Sequence, residues 1–156
     1  MTDLIKELKS HRLFRNTEDN AIAAIAKFSS HHDFMKKQFI FEAGNPADTV
    51  YLVIKGQISI ELHHPVRGTI VLETLSAGQF IGLSWLNLPA VWTFDARSVS
   101  DVSVIKIDAV KLDSLCNEDR NNGYIIMKNL AILTRDRLQS TRLQLMDVYS
   151  SSRGKL

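Results

Sequence analysis

Two histidine pairs offer the first candidate chemistry: His31-His32, followed by Asp33, and His63-His64. Imidazoles and carboxylates hold a metal when three or four converge on one point. Adjacent residues on a strand point to opposite faces, so neither pair is arranged to chelate one ion. His63-His64 also falls in an apparent hairpin turn, and both pairs read as solvated loop histidines, with no metal site. Cys116 is the one thiol, and Asp113, Glu118 and Asp119 surround it in sequence. An acidic setting raises a thiol pKa and works against nucleophilic activation. A single cysteine also excludes an intramolecular disulfide. The sequence has no nucleophile elbow, no phosphate-binding glycine loop and no placeable pair of carboxylates. The chain is therefore read as a non-enzyme. Lys36-Lys37 is a short basic spot, read as a solvated face.

Bulk properties narrow the function further. A length of 156 residues suits one domain with one core. The formal net charge of +2 is too small a bias to argue for nucleic acid or a membrane surface. No apolar run approaches the roughly 20 residues of a membrane span. Residues 1–14 are charged throughout and lack the apolar stretch of a signal peptide. A cytoplasmic setting is expected.

The elements that must position any site fall into three zones within a single domain, 1–156. Residues 1–32 form a helical zone. Leu4, Ile5 and Leu8, then Ile22, Ile25, Ala26 and Phe28, recur at helical spacing. Thr17, ahead of Glu18 and Asp19, is the predicted N-cap of the second helix. Leu13-Phe14 stands where it could staple onto that helix. Residues 33–107 read as strands: 39–41, 50–54, 57–62, 70–75 and 102–107. Ile58, Ile60 and Leu62 are placed on one side of their strand. Ile70, Leu72 and Thr74 face one way on the next, with Val71 and Leu75 facing the other. Turn signals separate the runs at 43–46, 55–56, 63–68 and 76–78. Many short strands at such spacing predict a sandwich or barrel. Residues 108–149 turn helical again, with Asp108 as N-cap of a short helix through Leu115. A long helix is predicted over about 121–149, and 150–156 is read as a polar tail.

The long helix carries two stripes. Ile126, Leu130 and Leu133 form a face suited to the barrel. Met127, Ala131, Thr134, Leu138, Thr141, Leu145 and Val148 alternate at spacings of four and three, a heptad seam suited to a partner helix. A parallel homodimer is the simplest closed arrangement. The alternative is one wide amphipathic helix on its own core.

The order of elements and the placing of glycines then become specific. The run from Phe39 through Gly44-Asn45-Pro46 and Val50-Tyr51-Leu52-Val53-Ile54 to Gly56 resembles the first half of a cyclic-nucleotide-binding domain. Gly78-Gln79-Phe80-Ile81-Gly82 is similar to the entry of that family's phosphate-binding cassette. Asp95-Ala96-Arg97-Ser98 and Val102-Ser103-Val104-Ile105 resemble the strands that follow, and Arg137-Leu138-Gln139 the dimer helix. The resemblance implies a mostly β fold with flanking helices. It would be a double-stranded β-helix, or jelly-roll, barrel with a long C-terminal dimerisation helix, as in the sensory domains of catabolite activator and FNR regulators. Gly44, Gly56 and Gly78 sit at strand ends, where a positive φ is often needed. Gly82 would let backbone approach a phosphate, and the family cassette adds helix amides facing it.

Two positions depart from the family pattern. Leu83 stands where the family places a Glu for the ribose hydroxyl, and Trp92 stands where it places an Arg for the cyclic phosphate. No Lys or Arg occurs between Gly68 and Arg97. A buried phosphate without its cation forgoes a charge-assisted pair worth about 1.5–3 kcal/mol. Tight binding of cyclic AMP in the usual way is not expected, and no other cofactor is implied. The candidate pocket comprises Ile81, Gly82, Leu83, Ser84, Trp85, Trp92, Thr93, Thr141 and Arg142. One reading gives aromatic walls for an apolar or planar ligand, with Ser84 and Thr93 as polar handles. The other has Trp85 and Trp92 filling the vacated pocket. Thr141 matches the family residue that faces the base. Arg142 could reach a pocket anion, although a solvated surface Arg is the simpler reading. Transcription regulators of this family continue into a helix-turn-helix, and no segment after Leu156 is present to form one, so direct DNA binding is not expected. A small-molecule sensor, a ligand-free dimeric interaction module and a truncated regulator acting by heterodimerisation are the three functional readings.

Overall fold

A computed structural model describes residues 1–87 and 89–153. The chain opens with α1 (Thr2–Ser10), a 3-10 turn (Arg12–Phe14) and α2 (Asp19–Ala26). Eight strands follow among the described residues: β1 (Ser29–Phe34), β2 (Phe39–Phe41), β3 (Thr49–Lys55), β4 (Gln57–His64), β5 (Gly68–Ser76), β6 (Phe80–Ile81), β7 (Asp95–Ser98) and β8 (Val102–Asp108). A 3-10 turn at Ser84–Asn87 separates β6 from β7. Two helices end the chain, α3 (Ala109–Glu118) and α4 (Arg120–Arg153). The strands form two four-stranded antiparallel sheets, ordered β1-β8-β3-β6 and β2-β7-β4-β5. This is the expected mostly β jelly-roll with flanking helices and a long C-terminal helix.

The uninterrupted apolar run of β3 has a physical cause: both of its faces are covered. Val50 and Leu52 point outward into a core shared with the helices, beside Leu8, Phe14, Ile22, Leu112 and Ile126. Tyr51 and Val53 point inward between the sheets, beside Ile58, Leu75, Ile81 and Val104. Gly44, Gly56 and Gly78 close their turns at φ of +88°, +87° and +85°. Asp108 caps α3, its carboxylate accepting the Lys111 N–H at 3.0 Å.

Several boundaries differ from the sequence expectation. β1 begins at Ser29, inside the zone read as helical. Its polar residues gain their order by pairing with β8 from Ser29↔Ile107 to Phe34↔Val102. His31 and His32 therefore lie on an exposed edge strand rather than in a loop, with His31 bonded to Glu7. His63 and His64 end β4, and His64 Nδ1 accepts the Val66 and Arg67 N–H groups of the turn. Thr17 does not cap α2. Its N–H bonds back to Phe14 and its side chain is buried, which moves the cap position to Glu18. The Glu18 N–H is met by Asn122 Oδ1 at 2.9 Å. Residues 150–153, read as tail, continue α4 as helix, while 154–156 lie outside the described residues.

The alternation expected on β5 also breaks. Glu61 pairs with Val71 and Ile60 with Glu73, so Leu72 is an extra residue on β5. Such a bulge re-aims the side chains beside it. On β4, Ile58 and Ile60 are buried but Leu62 is exposed.

Candidate functional site

The barrel and α4 enclose a cleft of about 360 Å³. Its floor is aromatic. Trp92 stacks on Phe41 at 3.7 Å and 10°, with Tyr51 tilted against it at 6.3 Å. The backbone pins Trp92 there: its N–H donates to Asn45 and its carbonyl accepts from Gly44. Only 7% of Trp92 remains exposed, so it fills the barrel interior and forms the base of the cleft. Gly82 is required beside it. At φ +111°, a Cβ on Gly82 would lie 2.8 Å from the Thr49 carbonyl oxygen and 3.3 Å from the Trp92 ring.

The rim mixes apolar and polar groups. Ile81, Leu83, Ser84, Thr93 and Thr141 line the cleft. Trp85 does not. It sits in the core shared with the helices, because the 3-10 turn sends successive side chains apart, Ser84 to the cleft and Trp85 away from it. Its indole nitrogen is buried without a partner among the described residues. Arg142 is exposed and does not line the cleft. Arg137 does so instead, because positions i and i+4 share a helix face and Arg137 therefore accompanies Thr141.

Sequence reasoning did not find Arg137 or Glu73 as site residues. Arg137 Nε and Nη2 donate to the two Glu73 carboxylate oxygens at 3.0 and 2.7 Å, and Nη1 donates to the Phe80 carbonyl at 3.0 Å. Leu72, Phe94 and Ile60 complete the walls. Glu73 faces the cleft through its pairing with Ile60, and the bulge on β5 adds Leu72 beside it.

The predicted seam on α4 divides. Leu138, Leu145 and Val148 are exposed apolar residues. Ala131 is exposed, whereas Met127 packs against the core shared with the helices. The Thr134 and Thr141 hydroxyls donate to the carbonyls of Leu130 and Arg137, one turn back. Ile126, Leu130 and Leu133 are buried on the barrel side, as their spacing indicates. The Cys116 thiol is pushed up to about 11, first by burial and then by the charges of Asp113 and Asp119. Among the described residues, no three His, Cys, Asp or Glu side chains could hold a metal ion, and no helix is long and apolar enough to cross a membrane.

Comparison with known proteins agrees with this architecture. The CRP-like cAMP-activated global transcriptional regulator of Mycobacterium tuberculosis is 26% identical over 136 residues, 87% of this chain and 59% of the relative. The chain thus spans about six-tenths of the length of that curated relative. A structure described as a cyclic nucleotide-binding protein from Geobacter metallireducens superposes with a TM-score of 0.74 at 25% identity, covering 85% of this chain and 96% of that one. The regulatory subunit of a cAMP-independent protein kinase A from Trypanosoma cruzi, bound to guanosine, shares the fold. Its TM-score is 0.71 at 14% identity, covering 97% of this chain and 50% of that one. The sequence profile of the cyclic nucleotide-binding domain matches residues 31–119, more than half the chain and nearly the whole barrel, and the chain belongs to that family.

Proposed function

We propose that this chain is a regulatory sensor that reads a small ligand in the cleft and passes the signal through α4 to a second copy. One observation carries the reading. The cleft is walled jointly by the barrel and by Arg137 and Thr141 of α4, the helix that also bears the exposed apolar stripe. A ligand there touches the element that would make the dimer. With Leu83 and Trp92 at the two departing positions, cyclic AMP in its usual pose lacks both its hydroxyl acceptor and its phosphate cation. The ligand expected carries a planar ring, laid on the Trp92 floor, with polar groups for the Ser84 and Thr93 hydroxyls.

A second reading has one observation in its favour. The tight Trp92–Phe41 stack occupies the barrel interior, as it would in a ligand-free interaction module whose dimer surface is the function. A thermal-shift screen separates the two. The panel is cyclic AMP, cyclic GMP, cyclic dinucleotides, guanosine and planar aromatic compounds. A true ligand at 100-fold its Kd adds about 2.7 kcal/mol and raises Tm by roughly 5–10 °C. The sensor reading expects such a shift from at least one planar compound and little from cyclic AMP. A panel without any shift overturns it in favour of the interaction module.

A further inference from the structure

The charge of the cleft is decided by two side chains. Arg137 is the cation among its described lining residues, and three of its donors are already engaged, two of them by Glu73. Both side chains are largely withdrawn from water, at 20% and 25% exposure. Glu73 reaches this place because it pairs with the cleft residue Ile60 and alternates onto the face of β5 that buries Leu75. We propose that Glu73 sets the charge class of the ligand. It occupies Arg137 as a built-in anion, so the cleft excludes anionic ligands and takes an uncharged planar molecule carrying hydroxyl or amino donors, such as a nucleoside. This rests on the sensor reading of the same cleft.

The physical argument is one of competition. A bidentate carboxylate–guanidinium pair is among the stronger polar contacts a protein makes. An entering phosphate or carboxylate meets a cation that is already neutralised, beside a carboxylate that repels it. The apolar floor and walls, with Trp92, Phe41, Leu72 and Leu83, weaken solvent screening of that repulsion. Taking Arg137 from Glu73 would leave a half-buried carboxylate unpaired, which is costly. An uncharged ligand avoids the contest. Each Glu73 oxygen keeps a free lone pair for a ligand hydroxyl or amino group, and Ser84 and Thr93 line the same cleft.

Titration calorimetry of the full chain with adenosine and with cyclic AMP tests this. Wild type binds adenosine more tightly than cyclic AMP. Glu73→Gln leaves the guanidinium without its counter-charge and gains affinity for cyclic AMP by about tenfold or more. Glu73→Ala repeats the gain should the glutamine variant melt early. In Glu73→Gln/Arg137→Met the cleft is neutral again and the gain disappears. Wild type binding cyclic AMP as tightly as adenosine overturns the proposal. So does a folded Glu73→Gln or Glu73→Ala with no gain. Wild type silent toward both ligands, with the gain still seen in Glu73→Gln, upholds the role of Glu73 and overturns adenosine as the ligand, while the sensor reading stands or falls on the wider panel.

Discussion

His11 Nδ1 accepts the Leu13 N–H at 3.2 Å, which leaves the ring proton on Nε2. That nitrogen is buried and faces the Gln79 backbone without closing a hydrogen bond. Burial pushes the His11 pKa down to about 4, and the neighbouring Arg12 charge adds to the fall. The unfolded chain therefore binds a proton near pH 6.5 that the folded chain refuses until near pH 4. Stability from this group is fully present above about 6.5 and is lost as pH falls through that window, by at most about 3 kcal/mol. His11→Asn keeps an acceptor for Leu13 and removes the titration. Urea unfolding of both proteins between pH 4 and 7 should show a steeper acid loss for wild type; parallel curves would rule the mechanism out. The cleft shows which residues could be read without a structure. Leu83 and Trp92 both line the cleft; Leu83 is placed in the sequence by Gly82 beside it, and Trp92 by its count along the cassette. Glu73 was not legible, because alternation puts it on the face of Leu75 but a lone carboxylate in a strand carries no signal until its partner is known. Arg137 was not, because its contact with Glu73 spans 64 residues and depends on the rotation of α4 about its axis. That same rotation turns Arg142 away.

At the scale of elements, the junction of α3 and α4 is unusually close. Gly123 lies in the first turn of α4, and a Cβ there would stand 2.2 Å from the Cys116 carbonyl oxygen, on backbone that has no flexible end to move. Alanine in a helix normally gains up to about 1 kcal/mol over glycine. Here the sign reverses. Gly123→Ala should lower stability by about 2 kcal/mol, as overpacking does, and Tm by roughly 4–8 °C. An unchanged or higher Tm would show that α3 and α4 do not meet this closely. Asn122 beside it explains why Thr17 misled. The cap region of α2 is served across the chain by Asn122 Oδ1, so the local Thr-Glu-Asp pattern was not needed for that purpose. The helices and central strands were legible because burial stamps a period on them. β1 was missed at its start because Ser29, Ser30, His31 and His32 are a solvated edge with no apolar period, ordered by β8 alone.

The whole molecule leaves one surface unaccounted for. α4 has 34 residues, a length of about 51 Å, yet none of its residues beyond Leu133 is buried. Leu138, Leu145, Val148 and Tyr149 are 49%, 52%, 63% and 72% exposed. Their positions fall within about a quarter turn of one helix face at 100° per residue. Isolated apolar residues on a surface are ordinary, but a contiguous stripe of them calls for a partner. A second α4 is the simplest one: the spacing is that of a two-helix seam, and a two-fold axis lets each stripe cover the other. It would also give the proposed sensor its output, since Thr141 lies both in the cleft and on the predicted seam. Sedimentation equilibrium should give wild type twice the 17.6 kDa of the chain. Leu138→Glu places a carboxylate at the start of the stripe, and in a parallel pair it faces its own copy, so its mass should fall to that of one chain. The substituted side chain is half exposed in the single chain, so the thermal unfolding of the monomeric form should stay cooperative. A wild-type monomer, or a variant that still sediments at twice the chain mass, would remove α4 as the dimer surface and with it the proposed route from cleft to partner.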